Sequence, residues 1–587
     1  MAVSESPVIA GPAANRRRWP LVAGAAGYLA VALWLLWNVL TLSVSSGATC
    51  TCSDVSQFTW FLSWPSVALA HLANPFYSTA MFHPGGINLL ANTSVTGLGI
   101  PLTPLEWLIG PTATFNVALI VTPVASGVAM MWLARRFVAN DLLCFVAGAL
   151  YAFSPMVLFH QALGHLNVTF LALIPVVVAL VDDLLFRRTP RPRRTGLVLG
   201  LVMSWQFFIG SEVFAMTVVA GTLCIGALAV AVAMTNRPGL ARAWHHGAAG
   251  FAVATATAIL VLAAPIAYAT LGPGHYRGPV WPGQTLSNAS IRSFFVAQSG
   301  PRLWFAPQTW SYLQATYLAP ALIVTVAAGL VVFRRDRRLQ VVAGLAALMA
   351  WLTLGSHYVF APWHYAVRLP LLVNVVNERF SAYMFLFGSL ALAISVELIL
   401  TWRRRGVAIA IAVVAITLSV APYVDDALHV APYPASTLWI PNWYQATVPH
   451  LAQHEVILGF PFFNTSANLL GVQAHFHMSY SVVGGTTPQW LPFRQGAEAP
   501  GYRVIWNLAS TAAAPHMTSV ATSAQRAAVL SALRGWRATL VVVPFTNGPN
   551  TSVVARDPSF VEGFMASILG APTSIHAGAW VWRIPAA

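Results

Sequence analysis

Long apolar runs separated by short polar stretches make up most of the sequence as far as about residue 422. Each run approaches the ~20 residues that an α-helix needs to cross the hydrocarbon core of a bilayer. The pattern predicts about eleven membrane-spanning helices, near residues 20–44, 113–134, 141–160, 166–186, 195–210, 213–234, 247–270, 316–333, 340–356, 382–402 and 406–422. We interpret the first run as a retained anchor, because no small-residue cleavage site follows it.

Composition indicates the same class of protein. Of the 587 residues, 57% are hydrophobic and 8% are charged, whereas about 25% are charged in an average soluble domain. The net charge of +15 raises the question of a nucleic-acid partner. The basic residues lie in clusters between the apolar runs, however, so we expect a lipid bilayer as the partner and no nucleic acid.

Arginine clusters give the predicted orientation, because Arg in short loops is retained on the cytoplasmic side. They predict a cytoplasmic N-terminal tail, 1–19, and inner loops near 135–136, 187–194, 237–242, 334–338 and 403–405. Three acidic residues close to these clusters are expected to pair with inner Arg: Asp182, Asp183 and Glu397. The outer loops of the bundle hold Arg277, Arg292, Arg302, Arg368 and Arg379. The sequence thus predicts a multi-pass protein of the plasma (inner) membrane.

The first outer loop is long, covering residues 45–112. It contains an amphipathic piece near 58–72, whose aromatic side chains are typical of the headgroup level of a membrane. The apolar stretch 85–110 is broken by Pro101 and Pro104. We interpret it as re-entrant or surface-lying, because a full span there would reverse the predicted side of the Arg clusters that follow. Cys50 and Cys52 could form a disulfide, belong to a metal site or be ordinary thiols, and two sulfurs alone are a weak indication of zinc.

Composition shifts at about residue 423. Short strand-like runs near 456–463, 539–544 and 580–584, with a helix over 523–535, predict a small mixed α/β domain over 423–587 on the extracytoplasmic side. The predicted fold class is therefore an all-α polytopic membrane bundle over 20–422, followed by a C-terminal mixed α/β extracytoplasmic domain.

Asp54 is the single carboxylate between Arg18 and Glu106, and it follows the first predicted span closely. Ionisable groups near a membrane are costly unless they are paired or functional. A carboxylate in a partly desolvated cleft can accept the proton of a hydroxyl as that oxygen attacks. The alternative is that Asp54 caps the helix that follows it, and one residue can do both.

Several motifs occur in an order that resembles the GT-C superfamily of membrane glycosyltransferases. After the acidic residue behind the first span come Asn74-Pro-Phe76, His83-Pro-Gly-Gly-Ile-Asn88, Asn92-Thr-Ser94, Phe153-Ser-Pro155, Gly164-His-Leu-Asn167, Leu354-Gly355 and Asn377-Glu-Arg-Phe380. The resemblance covers most of residues 20–422 and is to bacterial members that carry a C-terminal extracytoplasmic domain. It implies a GT-C-like bundle that moves a sugar from a polyprenyl-phosphate donor to a glycan or glycolipid acceptor of the cell envelope.

In the resembled superfamily an acidic residue of the first outer loop is the general base, and that position falls on Asp54. Many members carry two acidic residues there, whereas Ser53 stands beside Asp54 in this chain. We therefore expect no metal ion and no other cofactor. The resemblance implies an inverting displacement, in which Asp54 accepts the proton of the acceptor and polyprenyl phosphate leaves.

A leaving phosphate is stabilised by cations or backbone donors. The candidate phosphate-binding residues on the outer side are Arg379, His160, His165, Arg277 and Arg292. Arg379 is best placed, at the mouth of a predicted span, and its planar fork can bond two phosphate oxygens. Its alternatives are a local pair with Glu378 or an anchor at the membrane interface. The two histidines could instead satisfy backbone groups of their turn.

Three further residues are candidates for orienting substrate hydroxyls: Glu212, Asn167 and Glu378. Glu212 lies in a short outer turn, and its alternative is a buried pair with an outer Arg. The aromatic-rich loop 271–315 could stack on sugar rings or belong to the interfacial aromatic belt of a membrane protein.

Two other functions fit the sequence. One is a flippase or exporter of a lipid-linked envelope intermediate, although transporters more often show repeated halves and charges near the bilayer midplane. The other is a non-catalytic scaffold of envelope assembly, since one carboxylate is a narrow basis for an enzyme. The convergence of polar residues on the outer side and the family resemblance favour the glycosyltransferase.

Overall fold

The computed structural model describes residues 17–49, 53–275, 289–295, 315–370, 372–452, 454–462, 468–485, 500–548 and 555–585. Its helices are α1 (Trp19–Leu35), α2 (Trp37–Leu42), α3 (Ser53–Ala70), α4 (Thr96–Ile109), α5 (Pro111–Ala134), α6 (Asp141–Ala152), α7 (Pro155–Ala162), α8 (Leu166–Thr169), α9 (Leu173–Leu185), α10 (Pro192–Ile209), α11 (Ser211–Thr235), α12 (Arg237–Leu271), α13 (Pro320–Val332), α14 (Arg337–Thr353), α15 (Pro362–Ala366), α16 (Ser381–Leu400), α17 (Arg405–Val430), α18 (Asn442–Thr447), α19 (Asn468–His475), α20 (Pro500–Ala509), α21 (Ser523–Gly535) and α22 (Pro558–Leu569). Its strands are β1 (Gly47–Ala48), β2 (Tyr77–Ser78), β3 (Ile87–Asn88), β4 (Ser436–Thr437), β5 (Val456–Gly459), β6 (Ser481–Val482), β7 (Leu540–Pro544), β8 (Ser574–His576) and β9 (Ala579–Arg583).

Apolar helices form the bundle. Six that are long and apolar enough to cross a membrane occur among the described residues: Pro111–Ala134, Leu166–Leu185, Ser211–Thr235, Arg237–Leu271, Asn377–Leu400 and Arg405–Leu428. α6 and α7 form a seventh if they are counted as one broken span, because they meet at 46°. Pro155 opens α7 and lacks the N–H that a continuous helix would use, which explains the break. The protein is therefore a multi-pass membrane protein.

Four other predicted spans are also helices. α1, α13 and α14 have 17, 13 and 17 residues, short of the ~20 that cross a bilayer without a tilt or a flanking extension. The fourth predicted span, 195–210, corresponds to α10. Its first turn contains two Arg side chains, which reduces the apolar length of this helix. Six or seven spanning helices are thus supported within the described residues, and the count of eleven stays a prediction.

Ion pairs join the helix ends that are predicted to face the cytoplasm. Arg136 pairs with Asp182 at 3.0 Å and also with Asp183. Glu397 lies 3.8 Å from Arg338, which belongs to a different helix. The expected pairing of the three inner carboxylates is therefore observed, and their neighbouring Arg residues are held together at one end of the bundle.

A five-stranded sheet forms the core of the C-terminal domain, with the strand order β6-β5-β7-β9-β8. β5 pairs in parallel with β6 and β7, while β9 runs antiparallel between β7 and β8. Every residue of β5 and β7 is buried, as expected for central strands covered on both faces. The three predicted strands correspond to β5, β7 and β9, and the predicted helix is α21. α17 continues to Val430, past the predicted boundary at 422.

The first outer loop packs against this domain. β1 pairs with β4, and residues 80–83 run beside the end of β6. The amide of Val482 donates to the carbonyl of Ala80 at 2.8 Å, and the amide of His83 donates to the carbonyl of Val482 at 3.1 Å. Side chains of α3 and of the sheet belong to one continuous hydrophobic core. The loop and the C-terminal domain therefore form a single packed unit.

The aromatic side chains of α3 are buried within this unit. Trp60, Phe61 and Trp64 are 0%, 1% and 9% exposed. The prediction that they lie at the membrane headgroups is therefore wrong, because α19 covers α3 on one side and α4 and α5 cover it on others. An amphipathic aromatic helix shows that one face avoids water, and here protein covers that face.

The stretch predicted to be re-entrant or surface-lying contains β3, a short 3-10 turn (Leu89–Ala91) and α4. α4 ends at Gly110, whose φ of +82° turns the chain directly into α5. Glu106 on α4 faces α3 and is 2% exposed. Burial raises the pKa of the Glu106 carboxyl to about 7, and the hydroxyls of Ser66 and Ser63 act in the opposite direction.

Candidate active site

Asp54 lies in the first turn of α3. A carboxylate in a first turn faces the positive end of the helix dipole. Its Oδ2 lies 3.1 Å from Nε2 of His165, and its side chain remains 26% exposed. Asp54 is therefore oriented by one partner and still accessible from outside, and the structure gives it a tertiary contact in addition to its place at the helix start.

The partner of Asp54 comes from a tight turn between α7 and α8. The amide of His165 donates to the carbonyl of His160 at 2.9 Å, and Gly164 between them has a φ of +75°. A Cβ at Gly164 would lie 2.7 Å from Cγ2 of Val55 and 3.0 Å from Cζ of Phe115. Glycine therefore allows the turn to approach the start of α3, where Asp54 is located.

The two histidines of this turn contact each other. Nδ1 of His160 and Nδ1 of His165 are 2.7 Å apart, and their rings lie 5.0 Å apart between centroids. His160 is 0% exposed and His165 is 7% exposed. Asp54, His165 and His160 thus form a continuous chain of polar contacts that runs from a partly exposed carboxylate to a fully buried ring.

An ion pair lies next to this chain. Arg379, in the 3-10 turn Asn377–Phe380, pairs with Glu212 in the first turn of α11. Glu212 also accepts a 2.8 Å hydrogen bond from the amide of Val376, and Arg379 interacts electrostatically with His160. The interpretation of Glu212 as a buried partner of an outer Arg fits this geometry. A donor phosphate would share Arg379 with Glu212.

The remaining predicted residues occupy different places. Asn167 is buried on α8, and its carbonyl lies 3.2 Å from where a Cβ of Gly210, just before α11, would be. Glu378 is fully buried in the turn that carries Arg379. Arg292 is exposed on the 3-10 turn Ile291–Phe294, which contacts the segment after α14. Arg277, Cys50, Cys52 and most of loop 271–315 lie outside the described residues.

Two of the quoted motifs meet beside the ion pair. The side-chain amide of Asn377 donates to the carbonyls of Thr353 and Leu354 at 2.7 and 3.0 Å. Leu354-Gly355 and Asn377-Glu-Arg-Phe380 therefore pack together, and this contact holds the turn that carries Arg379. Within the part of the chain that the structure describes, no group of three or more His, Cys, Asp or Glu side chains could hold a metal ion.

No protein-family model matches the chain, and no curated protein is detectably similar to it in sequence. Solved structures are similar in fold. The archaeal oligosaccharyltransferase AglB from Archaeoglobus fulgidus, in complex with an inhibitory peptide and a dolichol-phosphate, matches with a TM-score of 0.50 and 13% identity, over 89% of this chain and 69% of that chain. The apo form of the Archaeoglobus fulgidus oligosaccharyltransferase matches with a TM-score of 0.50 and 12% identity, over 90% of this chain and 70% of that one.

A third match is a mutant of the arabinofuranosyltransferase AftD from mycobacteria, with a TM-score of 0.52 and 16% identity. It covers 95% of this chain but 39% of AftD. The chain therefore shares the fold of these oligosaccharyltransferase and arabinofuranosyltransferase structures. This similarity in fold agrees with the resemblance stated from the motifs. In this fold, Asp54 lies close to the C-terminal domain, where Gly471 of α19 approaches Ser56.

Sequence reasoning missed Gln473 of α19, which links the C-terminal domain to α3. Gln473 is fully buried, and its Oε1 accepts a 2.7 Å hydrogen bond from Nε1 of Trp60 on α3. Its Nε2 donates to the carbonyls of Ala80 and Tyr480, both at 2.7 Å. Nothing in the local sequence marks this amide, because its partners lie in other segments of the chain.

Proposed function

We propose that the protein is a membrane glycosyltransferase. It transfers a sugar from a polyprenyl-phosphate-linked donor to a glycan or glycolipid acceptor of the cell envelope, on the extracytoplasmic side of the plasma membrane. The observation that carries the proposal is the partly exposed carboxylate of Asp54, oriented by His165 at the outer end of a GT-C fold. A lipid phosphate donor is supported by AglB, whose structure holds a dolichol-phosphate.

The proposed chemistry is an inverting displacement. The acceptor oxygen attacks the anomeric carbon from the face opposite the phosphate, and the bond between that carbon and the phosphate oxygen breaks with its electron pair on the phosphate. The acceptor proton passes to Oδ1 of Asp54, because Oδ2 already contacts His165. The leaving phosphate is an anion already, so it is stabilised by positive charge, for which Arg379 is the candidate.

The C-terminal domain is the proposed binding surface for the acceptor. Ligands of open α/β sheets bind beyond the carboxyl ends of the strands. At that end of β6, a Cβ of Gly485 would lie 2.5 Å from the side chains of Met81 and Phe82 in the first outer loop. On α19, a Cβ of Gly471 would lie 3.2 Å from Oγ of Ser56, two positions after Asp54. An acceptor held by this domain would therefore be close to the base.

The test compares envelope glycans and polyprenyl-phosphate sugars in cells with the intact gene, a deletion, Asp54→Asn and Glu562→Gln. Asn keeps the size of the side chain but accepts no proton at neutral pH. We expect the deletion and Asp54→Asn to lose the same sugar from a glycan and to accumulate the same lipid-linked donor. Glu562→Gln removes a carboxylate from α22 of the C-terminal domain and should behave like the intact gene.

Equal membrane levels of the variants, measured by immunoblotting, are needed for this comparison. If the deletion changes the envelope while Asp54→Asn does not, Asp54 is not the base, and transport or scaffolding becomes the better explanation. The sugar that is lost would identify the donor.

A further inference from the structure

The contact between the two histidines constrains where their protons lie. Two nitrogens 2.7 Å apart require one donor and one acceptor. Nε2 of His165 carries a proton, because an ionised carboxylate such as that of Asp54 only accepts hydrogen bonds. A neutral His165 then has a bare Nδ1, and the proton between the two rings belongs to His160.

The other proton arrangement weakens the base. If His165 is an imidazolium, its Nδ1–H donates to His160, and its charge stabilises the ionised form of Asp54. A carboxylate stabilised in this way takes a proton from an acceptor hydroxyl less readily. A proton on Nδ1 of His160 excludes this state, because His165 then has no place for a second proton.

Burial favours the neutral arrangement. The described groups that face the histidine pair are Asp54 from α3, Arg379, and Glu212, which is paired with Arg379. The guanidinium of Arg379 is paired with Glu212, and the two rings are 0% and 7% exposed, so burial disfavours a charge on the histidine pair. Tyr433 also reaches α7, where its hydroxyl donates to the carbonyl of residue 158 at 3.1 Å.

We propose that His160 is a positioning residue that holds His165 in the neutral tautomer which donates to Asp54, and so keeps Asp54 basic. The inference rests on the proposed function, in which Asp54 is the base. Both ring nitrogens of His165 are used in this chain. His165 therefore orients the carboxylate and leaves the donor phosphate to other residues.

Asparagine and glutamine distinguish the two ring nitrogens at position 160. The amide nitrogen of His160→Asn takes the position of Nδ1, whereas that of His160→Gln takes the position of Nε2. We expect His160→Asn to retain kcat within about threefold of wild type, and His160→Gln to lose about 10- to 100-fold in kcat with KM little changed.

The loss should grow at low pH. Without a donor from position 160, Nδ1 of His165 is free to accept a second proton. The ratio of wild-type kcat to that of His160→Gln should therefore be larger at pH 5.5 than at pH 8. His160→Asn should keep the wild-type pH profile.

A variant of His165 tests the role of the tautomer separately. His165→Gln still offers an N–H to Asp54 but has no second nitrogen to protonate, so its kcat should stay within about tenfold of wild type. Adding His160→Gln to this variant should cause no further loss of kcat. If His160→Gln does not fold, the activity of His165→Gln alone tests the inference. A loss above about a hundredfold would mean that the imidazole acts as a cation, which contradicts the inference.

The assay uses the purified full-length protein in nanodiscs. Its donor is the lipid-linked sugar fraction extracted from deletion cells, and its acceptor is the envelope glycan of the same cells. Matching pH profiles for the Asn and Gln variants, or additive losses in the double variant, would overturn the role of His160 while Asp54→Asn remains inactive. Full activity of Asp54→Asn would instead overturn the proposed function itself.

Discussion

Gln473→Leu removes a fully buried amide that connects α3, the first outer loop and the C-terminal domain. Leucine is close in size and apolar, so the change deletes hydrogen bonds without opening a large cavity. Three bonds are lost: one from Trp60 and two to the carbonyls of Ala80 and Tyr480. Ala80 keeps a second bond, from the amide of Val482 at 2.8 Å.

Two buried groups therefore lose their described partner, the indole N–H of Trp60 and the carbonyl of Tyr480. Each unsatisfied group costs about 1–3 kcal/mol, which gives about 2–6 kcal/mol in all, before a smaller gain from burying leucine instead of an amide. For a unit of about 150 residues, 1 kcal/mol corresponds to about 2–4 °C in Tm. We expect Tm to fall by at least about 4 °C.

Thermal unfolding of the purified protein in nanodiscs, followed by tryptophan fluorescence, measures this change. The matched control is Gln525→Leu, since Gln525 lies at the start of α21 and accepts one bond from the amide of Thr522; losing that cap costs about 1 kcal/mol or less. Trp60→Phe removes the other partner, and the double variant with Gln473→Leu should lose less than the sum of the singles by about 1–2 kcal/mol. Equal Tm values for the two glutamine variants would refute the reasoning.

Two further predictions each concern a single position. Because burial raises the pKa of Glu106 to about 7 from 4.5, the folded state binds more protons than the unfolded state between these values, so stability falls as pH rises through this window. The free energy of unfolding of Glu106→Gln should equal that of wild type near pH 4.5 and exceed it by about 3 kcal/mol at pH 8. Tm measured across this pH range tests the prediction, and a difference that does not change with pH would contradict it. Gly164→Ala should reduce transfer, because the new Cβ would lie 2.7 Å from Val55 and displace the start of α3. The control is Gly110→Ala, because Gly110 also has a positive φ but a Cβ there meets nothing within 4 Å. This control should lose about 1 kcal/mol of stability and keep its transfer activity.

The membrane helices could be predicted from the sequence because hydrophobicity and Arg clusters act locally. The predicted threading also indicated some residues of the candidate site. Asp54, His160 and His165 all follow from polar residues in outer turns, which must meet where short loops converge on one surface. Their mutual hydrogen bonds could not be predicted, because the 46° break between α6 and α7 and the turn at Gly164 set the distances.

The surroundings of α3 could not be predicted for a different reason. An aromatic amphipathic helix has the same pattern whether lipid or protein covers it, so the sequence of Trp60 and Trp64 fits either environment. The covering element, α19, is far away in the chain and contains an ordinary glutamine. Pairing across such separations depends on the assembled tertiary structure, and Gln473 shows how a residue that supports the site carries no local mark.

The hydrogen bond between Trp60 and Gln473 joins residues 413 positions apart, which has a consequence for synthesis of the protein. At roughly 5–20 residues per second, a ribosome needs about 20–80 s to add that length of chain. During this interval α3 lacks its contact with α19. A chain that ends before Gln473 would contain Asp54, His160 and His165 but would lack the element that holds α3 in place. The surroundings of the candidate site are therefore complete only after translation has passed Gln473.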